Sequence, residues 1–318
     1  MDIKGMTLQQ AILHFSNPDN CVEYMVQQRW PDGVVICPTC GRNDVSWLAN
    51  QRKWQCKSKH VKRQFSAKVG TIFEDSPLGL DKWILATWMI TNCKNGVSSY
   101  EIARNIGVTQ KSAWFMLHRI RLAMQDEPSK IGGSGIPVEM DETFVGGKVI
   151  NKHKSKRVAG VAYQGGNDKA VVLGMLERGG KVKAQVIQNR KKQHLDPVVT
   201  ANVEEFSHII TDEFSGYQHL TTAYFHEVIN HATEYVNAHV HTNGIENFWS
   251  LLKRGLKGTY ISVEPFHLDA YVVEQVFRYN IRKDKNDEQR FKQVLSQVAG
   301  KRLTYSELTD KVGRTVAC

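Results

Sequence analysis

The chain has 318 residues, 41% of them hydrophobic and 23% charged, and its 42 Lys and Arg outnumber its 32 Asp and Glu to give a formal net charge of +10. This composition fits a globular protein of two or three domains and excludes a disordered polymer and a membrane-embedded chain. The longest uncharged apolar run, residues 83–90, is too short to cross a membrane, and residues 1–20 contain no apolar segment typical of a secretory signal, so we expect a cytosolic protein. The positive excess indicates an anionic partner, nucleic acid first and a membrane surface second.

The first predicted module is a metal site. Cys37 and Cys40 lie on one Cys-Pro-x-Cys-Gly turn, and Cys56 and His60 follow after a hairpin-like segment. Two ligand pairs separated in this way are typical of a tetrahedral structural Zn²⁺ site of the ribbon type, so we predict these four residues as zinc ligands. The alternative is that Cys56 and His60 are incidental and that the first two cysteines are reactive thiols.

The same module carries a run of positive charge with no acidic residue between positions 51 and 70. We predict that this run faces DNA phosphates, although a solvated face is the more ordinary explanation for a charge run taken alone. Its members are Arg52, Lys53, Lys57, Lys59, Lys62, Arg63 and Lys68. The candidate DNA-binding residues among them are Arg52, Lys53, Lys62 and Arg63.

Helical periodicity begins after the ribbon, with helices predicted over 82–91, 100–106 and 110–124 and N-caps at Asp81, Ser98 and Thr109. The last two helices, joined by a short turn containing glycine, form the pattern of a helix-turn-helix whose second helix enters the DNA major groove. An ordinary helical hairpin is the alternative. The predicted outward face of the second helix consists of Lys111, Ser112, Phe115, His118, Arg119 and Arg121. The candidate DNA-binding residues on it are Lys111, Ser112, His118 and Arg119.

Beyond a flexible linker at 128–137, alternating strand and helix signals predict a mixed α/β sheet buried on both faces. The strands are expected over 138–145, 158–163, 170–176 and 207–212, with a helical segment over 194–205.

Three carboxylates occupy informative positions in this region. Asp141 lies within the first predicted strand, Asp212 closes the fourth, and Glu246 lies on a following amphipathic helix. Lys253 faces the same way as Glu246, about 10 Å further along that helix. Three carboxylates brought together can hold two Mg²⁺ ions, and such a pair serves phosphodiester cleavage or transfer. Each acid taken alone has a commoner explanation as a cap, a turn or a solvated residue.

Four segments together resemble a known family. They are the stretches Met-Asp141-Glu-Thr-Phe-Val-Gly-Gly, Thr-Asp212, His-Thr-Asn-Gly-Ile-Glu246-Asn-Phe-Trp-Ser-Leu-Leu-Lys253-Arg and Gln64-Phe-Ser-Ala-Lys-Val-Gly-Thr-Ile-Phe-Glu-Asp-Ser-Pro77. From about residue 20 to 283 the chain resembles bacterial insertion-sequence transposases of the Asp-Asp-Glu class, in the group related to the eukaryotic Merlin transposons. Some members have a fourth cysteine where this chain offers His60.

The resemblance implies a ribonuclease-H-like catalytic core. Asp141, Asp212 and Glu246 would form its metal-binding triad for two Mg²⁺ or Mn²⁺ ions, with Lys253 as the associated basic residue. Because the third acidic position varies in the group, Asn243 remains an alternative to Glu246. The ribbon and helix-turn-helix would recognise the terminal inverted repeats of the element, in a nucleoid-associated homodimer or larger assembly that cleaves DNA and joins it to target DNA.

Further basic candidates for DNA contact are Lys152, Lys154, Lys156, Arg157 and Arg254. The predicted division is 1–75 for an N-terminal helix and zinc ribbon, 76–127 for the helix-turn-helix, 128–137 for the linker, 138–283 for the catalytic domain and 284–318 for a C-terminal helical tail. Two rival functions remain: a nuclease of the same fold that hydrolyses without joining, and a zinc-dependent DNA-binding regulator with an inactive core.

Overall fold

The computed structural model describes residues 5–125, 128–133, 135–147, 169–212, 217, 223–229 and 241–309. In this part of the chain no helix is both long and apolar enough to span a membrane. The chain divides into two compact units, one formed by Met1–Met124 with Asp284–Cys318 and the other by Gln125–Lys283.

The helices, in chain order, are α1 (Leu8–Phe15), α2 (Pro18–Arg29), α3 (Leu80–Asn92), α4 (Ser99–Ile106), α5 (Gln110–Ala123), α6 (Lys192–Asn202), α7 (Asn243–Gly255), α8 (Leu268–Ile281), α9 (Asp287–Ser296) and α10 (Tyr305–Leu308). The strands are β1 (Val45–Leu48), β2 (Lys53–Cys56), β3 (Gln64–Phe65), β4 (Val138–Val145), β5 (Ala170–Glu177), β6 (Val182–Ile187), β7 (His208–Asp212) and β8 (Phe225–Ile229).

In the first unit, β1, β2 and β3 form a small antiparallel sheet. Its apolar side is almost entirely aromatic: the Trp54 ring lies 4.6 Å from Trp47 and 5.9 Å from both Trp30 and Phe65. A sheet this small buries little apolar surface, so packing of these rings alone contributes little to its stability.

The helix starts follow the sequence signals at two of the three predicted caps. The Ser98 hydroxyl accepts from the Glu101 amide and the Thr109 hydroxyl from the Ser112 amide, while Gly107 ends α4 at φ 64° in the left-handed region where glycine is favoured. Asp81 was expected to cap α3, but the helix begins earlier, at Leu80, with Gly79 as its N-cap.

The predicted outward face of α5 is wrong at three positions. His118, Arg119 and Arg121 are only 3%, 4% and 1% exposed, because α3, α4 and α9 pack against this helix. The Arg119 guanidinium donates to the backbone carbonyls of Ile72 at 2.9 Å and Leu303 at 2.9 Å. A basic residue can therefore be part of the core when carbonyl oxygens satisfy it. The prediction that His118 and Arg119 face DNA is therefore wrong.

The second unit is built on a five-stranded mixed sheet in the order β6-β5-β4-β7-β8. β4 pairs antiparallel with β5 and parallel with β7, and β7 pairs parallel with β8. The strands expected over 138–145, 170–176 and 207–212 and the helix near 194–205 are present, with small shifts at their ends. β6 and β8 were not predicted, and the strand expected over 158–163 lies outside the described residues.

Both faces of this sheet are covered, as its apolar strands predict. One face packs Val138, Met140 and Leu173 against Leu195 and Val199 of α6. The other packs residues of β5 and β6 against α7 and α8, including Val172, Leu176, Val182, Ile245, Phe248, Trp249 and Leu252. Because side chains alternate along β4, its odd-numbered residues face α7.

Candidate functional site

The four predicted zinc ligands come together in the first unit. All four ligand atoms lie within 4.8 Å of one another, with Cys37 Sγ at 3.5 Å from His60 Nε2 and Cys40 Sγ at 3.6 Å from Cys56 Sγ. With Zn–S bonds of about 2.3 Å, neighbouring ligand atoms of a tetrahedral site stand roughly 3.5–3.8 Å apart. The donor set and its spacing therefore fit a structural Zn²⁺ ion held by Cys3His.

The surroundings of Cys56 favour its thiolate, the form that binds a metal. Burial raises the pKa of the Cys56 thiol, but hydrogen bonds from His60, Ser58 and Cys40 outweigh it and lower that pKa to about 6. The second ring nitrogen of His60, Nδ1, lies 2.8 Å from the Val61 carbonyl oxygen, which fixes the ring with Nε2 toward the sulfurs.

Two of the predicted carboxylates, Asp141 and Asp212, lie on neighbouring strands of the five-stranded sheet. The parallel register pairs Val138 with Ile209 and Glu139 with Ile210. Continued by two residues, this register places Asp141 level with Asp212, and paired side chains of adjacent strands share a face. Helix α7, which carries Glu246, packs on this same face.

Asp141 is held in place by helix α7. Its Oδ2 accepts from Trp249 Nε1 at 2.9 Å and its Oδ1 from the Glu142 amide at 2.7 Å. Burial, together with the charges of Asp212 and Glu246, raises the pKa of Asp141 to about 6, while the two hydrogen bonds act in the opposite direction.

These carboxylates are not gathered as tightly as the cysteines. Among the residues that the structure describes, the Cys3His cluster is the one group of three or more Cys, His, Asp or Glu side chains close enough to hold a metal ion as it stands. Three like charges without a cation repel one another, which is a physical reason for an open arrangement.

Glu139 has a positioning role that sequence reasoning missed. It is fully buried, pairs with Arg178 Nε at 2.7 Å and accepts from the Ile245 amide at 2.9 Å. The carboxylate thereby binds the N-terminus of α7, where the helix dipole favours negative charge. A Cβ on Gly244 would lie 2.7 Å from Glu139 Oε2, so only glycine leaves room for this contact. The available signal was the spacing of two from Asp141, which puts both acids on one face.

Two further close contacts involve residues next to Asp141. A Cβ on Gly174, the register partner of Asp141, would lie 2.6 Å from the Trp249 ring, so this glycine creates the space that the indole occupies. On the opposite face Glu142 accepts from the Tyr217 hydroxyl, and burial raises the pKa of Glu142 to about 7.

The predicted basic residues fall into three groups. Lys62, Lys111, Lys253 and Arg254 are exposed, and Lys53 and Ser112 are half-buried. Others are held by the protein: Arg52 pairs with Asp19, Arg63 donates to the Cys56 carbonyl at 3.0 Å, and Lys68 donates to the carbonyls of Ser76 and Leu78. Lys152, Lys154, Lys156 and Arg157 lie outside the described residues.

Comparisons with known proteins agree with this organisation. Residues 132–280 match the model of the ISXO2-like transposase domain and residues 16–58 that of the transposase zinc-ribbon domain. The chain is 28% identical over 255 residues to a protein in transposable element ISH50 of Halobacterium salinarum, covering 76% of this chain and 84% of that protein. It is 32% identical over 116 residues to a transposase-like protein of Haemophilus influenzae, covering 36% of this chain and 94% of that protein.

Proposed function

The chain belongs to the insertion-sequence transposases that carry an N-terminal zinc ribbon, and from this we propose that it binds the terminal inverted repeats of its element, cleaves DNA there and joins the ends to target DNA. What supports the proposal is that α7, which carries Glu246, packs on the sheet face where the parallel register of β4 and β7 brings Asp141 level with Asp212. We further propose that the sheet, with antiparallel β4–β6 extended by parallel β7 and β8, is a ribonuclease-H-like core.

Asp141, Asp212 and Glu246 would hold two Mg²⁺ or Mn²⁺ ions, since hard cations prefer carboxylate oxygens. When bound, such ions activate water or a 3′-hydroxyl and stabilise the leaving oxygen of a phosphodiester. The protein supplies the rest. Trp249 orients Asp141, Glu139 anchors the start of α7 and thereby the helix that carries Glu246, and the exposed ammonium group of Lys253 attracts a DNA phosphate beside the acids.

We also propose that α4 and α5 recognise DNA as a helix-turn-helix. Because part of the predicted outward face of α5 is buried, fewer of its residues are available for DNA contact. The N-terminal residues of a recognition helix contact base edges, and in α5 these are the residues that stay accessible. We therefore assign recognition to Lys111 and Ser112, and phosphate contact to Lys53, Lys62 and Arg254. The synaptic assembly that joins two ends is expected to contain at least two copies of the chain.

The test is a strand-transfer assay on DNA that carries the repeats flanking the gene. With Asp212→Asn, cleavage and joining should fall at least about a thousandfold, because a metal ligand is lost, while repeat binding in a gel-shift assay is retained. Glu205→Gln, an exposed acid of the same unit, is the matched control and should behave as wild type. Hydrolysis of pre-cleaved ends without any joined product would identify a nuclease. Full activity of the Asp212 variant would sink the catalytic assignment and favour a regulator.

The same assay decides the third ligand. Glu246→Gln should lose Mg²⁺-dependent cleavage by at least about a hundredfold, whereas Asn243→Ala at the exposed start of α7 should lose less than about tenfold. The reverse ranking would assign the position to Asn243.

A further inference from the structure

A cleft of about 750 Å³ opens where β4 ends and α7 ends. Phe144 and Val145 of β4 form part of its wall, and Leu256, Ile261 and Val263 line the side that follows α7. The cleft therefore combines an apolar wall with the strand that carries Asp141.

The charged side chains that line the cleft are all positive. Lys169, Lys253 and Lys257 line the cleft, and none of its described lining residues is acidic. The Lys253 and Lys257 side chains are exposed. Ammonium groups around an apolar wall match a nucleotide, whose phosphate is anionic and whose base is flat and largely apolar.

Ile261 is the unusual residue of this cleft. It is 82% exposed and its backbone has φ 62° and ψ −56°, a conformation that a β-branched residue adopts only at a cost. An apolar side chain in a strained, solvent-exposed position contributes nothing to folding. Both properties point to a role with a ligand.

The segment that presents Ile261 is firmly anchored. A π-helix, Leu256–Tyr260, follows α7 directly, and π-helical turns occur frequently at functional sites. The Tyr260 hydroxyl donates to Glu274, a fully buried carboxylate on α8 that also pairs with Arg278. These contacts therefore hold in place the segment that carries Ile261.

We propose that Ile261 is a wedge that enters the base stack of the element's DNA, and that the cleft receives the nucleotide it displaces. The inference rests on the proposed function. Apolar side chains that insert between base steps unstack them, and a displaced base is stabilised by apolar walls while cations hold its phosphates. Lys169 and Lys257 hold the backbone of the displaced nucleotide, and Val145, Leu256 and Val263 form the apolar wall against which its base packs.

The geometry also fixes where unstacking occurs. Phe144 lies three residues beyond Asp141, which corresponds to about 10 Å along a strand. In this proposal the duplex runs along β4, and successive phosphates of one strand are about 3.4 Å apart along the DNA axis, so the displaced nucleotide lies about three positions from the scissile phosphate.

The experiment uses the full chain and repeat-end duplexes with 2-aminopurine placed at successive positions, because its fluorescence rises when the base leaves the stack. Wild type should enhance the fluorescence at one position about three nucleotides from the cleavage site. Ile261→Gly should abolish this enhancement and slow cleavage roughly tenfold to a hundredfold, whereas Ile261→Leu should retain both. An abasic nucleotide at that position should restore cleavage by the glycine variant, since no base then has to be displaced.

Phe206→Gly is the matched control, because Phe206 in the same unit is also apolar, 71% exposed and at φ 62°, but does not line the cleft. Both glycine variants should keep or raise the melting temperature, so a folding defect is recognised at once. Unchanged fluorescence and cleavage in Ile261→Gly would overturn the inference, as would equal losses in Phe206→Gly. If wild type cleaves the DNA but raises the fluorescence at no position, the wedge role of Ile261 is wrong while the proposed function stands. Failure of wild type to cleave or join its ends contradicts the proposed function.

Discussion

The two candidate metal centres of this chain are built in opposite ways. In the ribbon, the ligand atoms of three cysteines and His60 lie within 4.8 Å of one another. Two pairs of them are within hydrogen-bonding distance. On the five-stranded sheet, Asp141 is held by an indole N–H and by a backbone amide, and its carboxylate partners stay further apart. A closed set of ligands serves structure, while an open set keeps positions for a substrate and can exchange its ion.

The largest expected effect lies at the closed centre. Cys40→Ser, or removal of zinc by a chelator, should unfold β1–β3, because binding of a structural zinc contributes about 10–16 kcal/mol in small zinc modules and the aromatic core of this sheet is small. Zinc content, expected at one ion per chain, and the circular dichroism melting curve provide the measurement. Cys93→Ser, outside the cluster, is the control and should keep its zinc. A Cys40 variant with full zinc and an unchanged melting curve contradicts the assignment.

The open centre should depend instead on the buried ion pair behind it. Arg178→Met leaves the fully buried Glu139 without its main cation, and breaking such a pair costs about 3–5 kcal/mol of unfolding free energy. Urea unfolding measures this loss. Lys57→Met, which breaks the exposed pair of Lys57 with Asp44, should leave the free energy of unfolding nearly unchanged. Similar losses in both variants would show that the Glu139 pair does not anchor α7.

The same contrast explains how far the sequence predicts each centre. The four zinc ligands were predictable because metal chemistry restricts residue type and spacing, and several strands and helices because hydrophobic period restricts position. The supporting contacts were not, since Glu139, Gly174 and Trp249 acquire their roles only when β4, β5 and α7 meet. The outward face of α5 failed for a related reason: Arg119 reads as a surface cation until carbonyls distant in the sequence, such as Leu303, surround it.

The smallest effect tests whether the open centre is strained by its own charges. Because the folded pKa of Asp141 is about 6 against an ordinary value of 3.8, the folded protein binds this proton more tightly than the unfolded chain. The free energy of unfolding therefore falls as pH rises from about 4 to 6, by up to roughly 3 kcal/mol, and stays lowered above that range.

Asparagine at this position does not ionise, although its single carbonyl oxygen can accept only one of the two hydrogen bonds. The stability of Asp141→Asn relative to wild type should therefore rise by up to roughly 3 kcal/mol between pH 4 and pH 8. Thermal unfolding in buffer free of Mg²⁺, with zinc retained, measures the difference, and Glu205→Gln should show no such dependence on pH. Added Mg²⁺ should then raise the melting temperature of wild type more than that of the variant, because the ion neutralises carboxylate charges that repel one another. A relative stability that instead falls between pH 4 and pH 8 would mean that the ionised carboxylate is needed to hold Trp249 and α7 on the sheet, in which case the open centre is a structural element as well as a catalytic one.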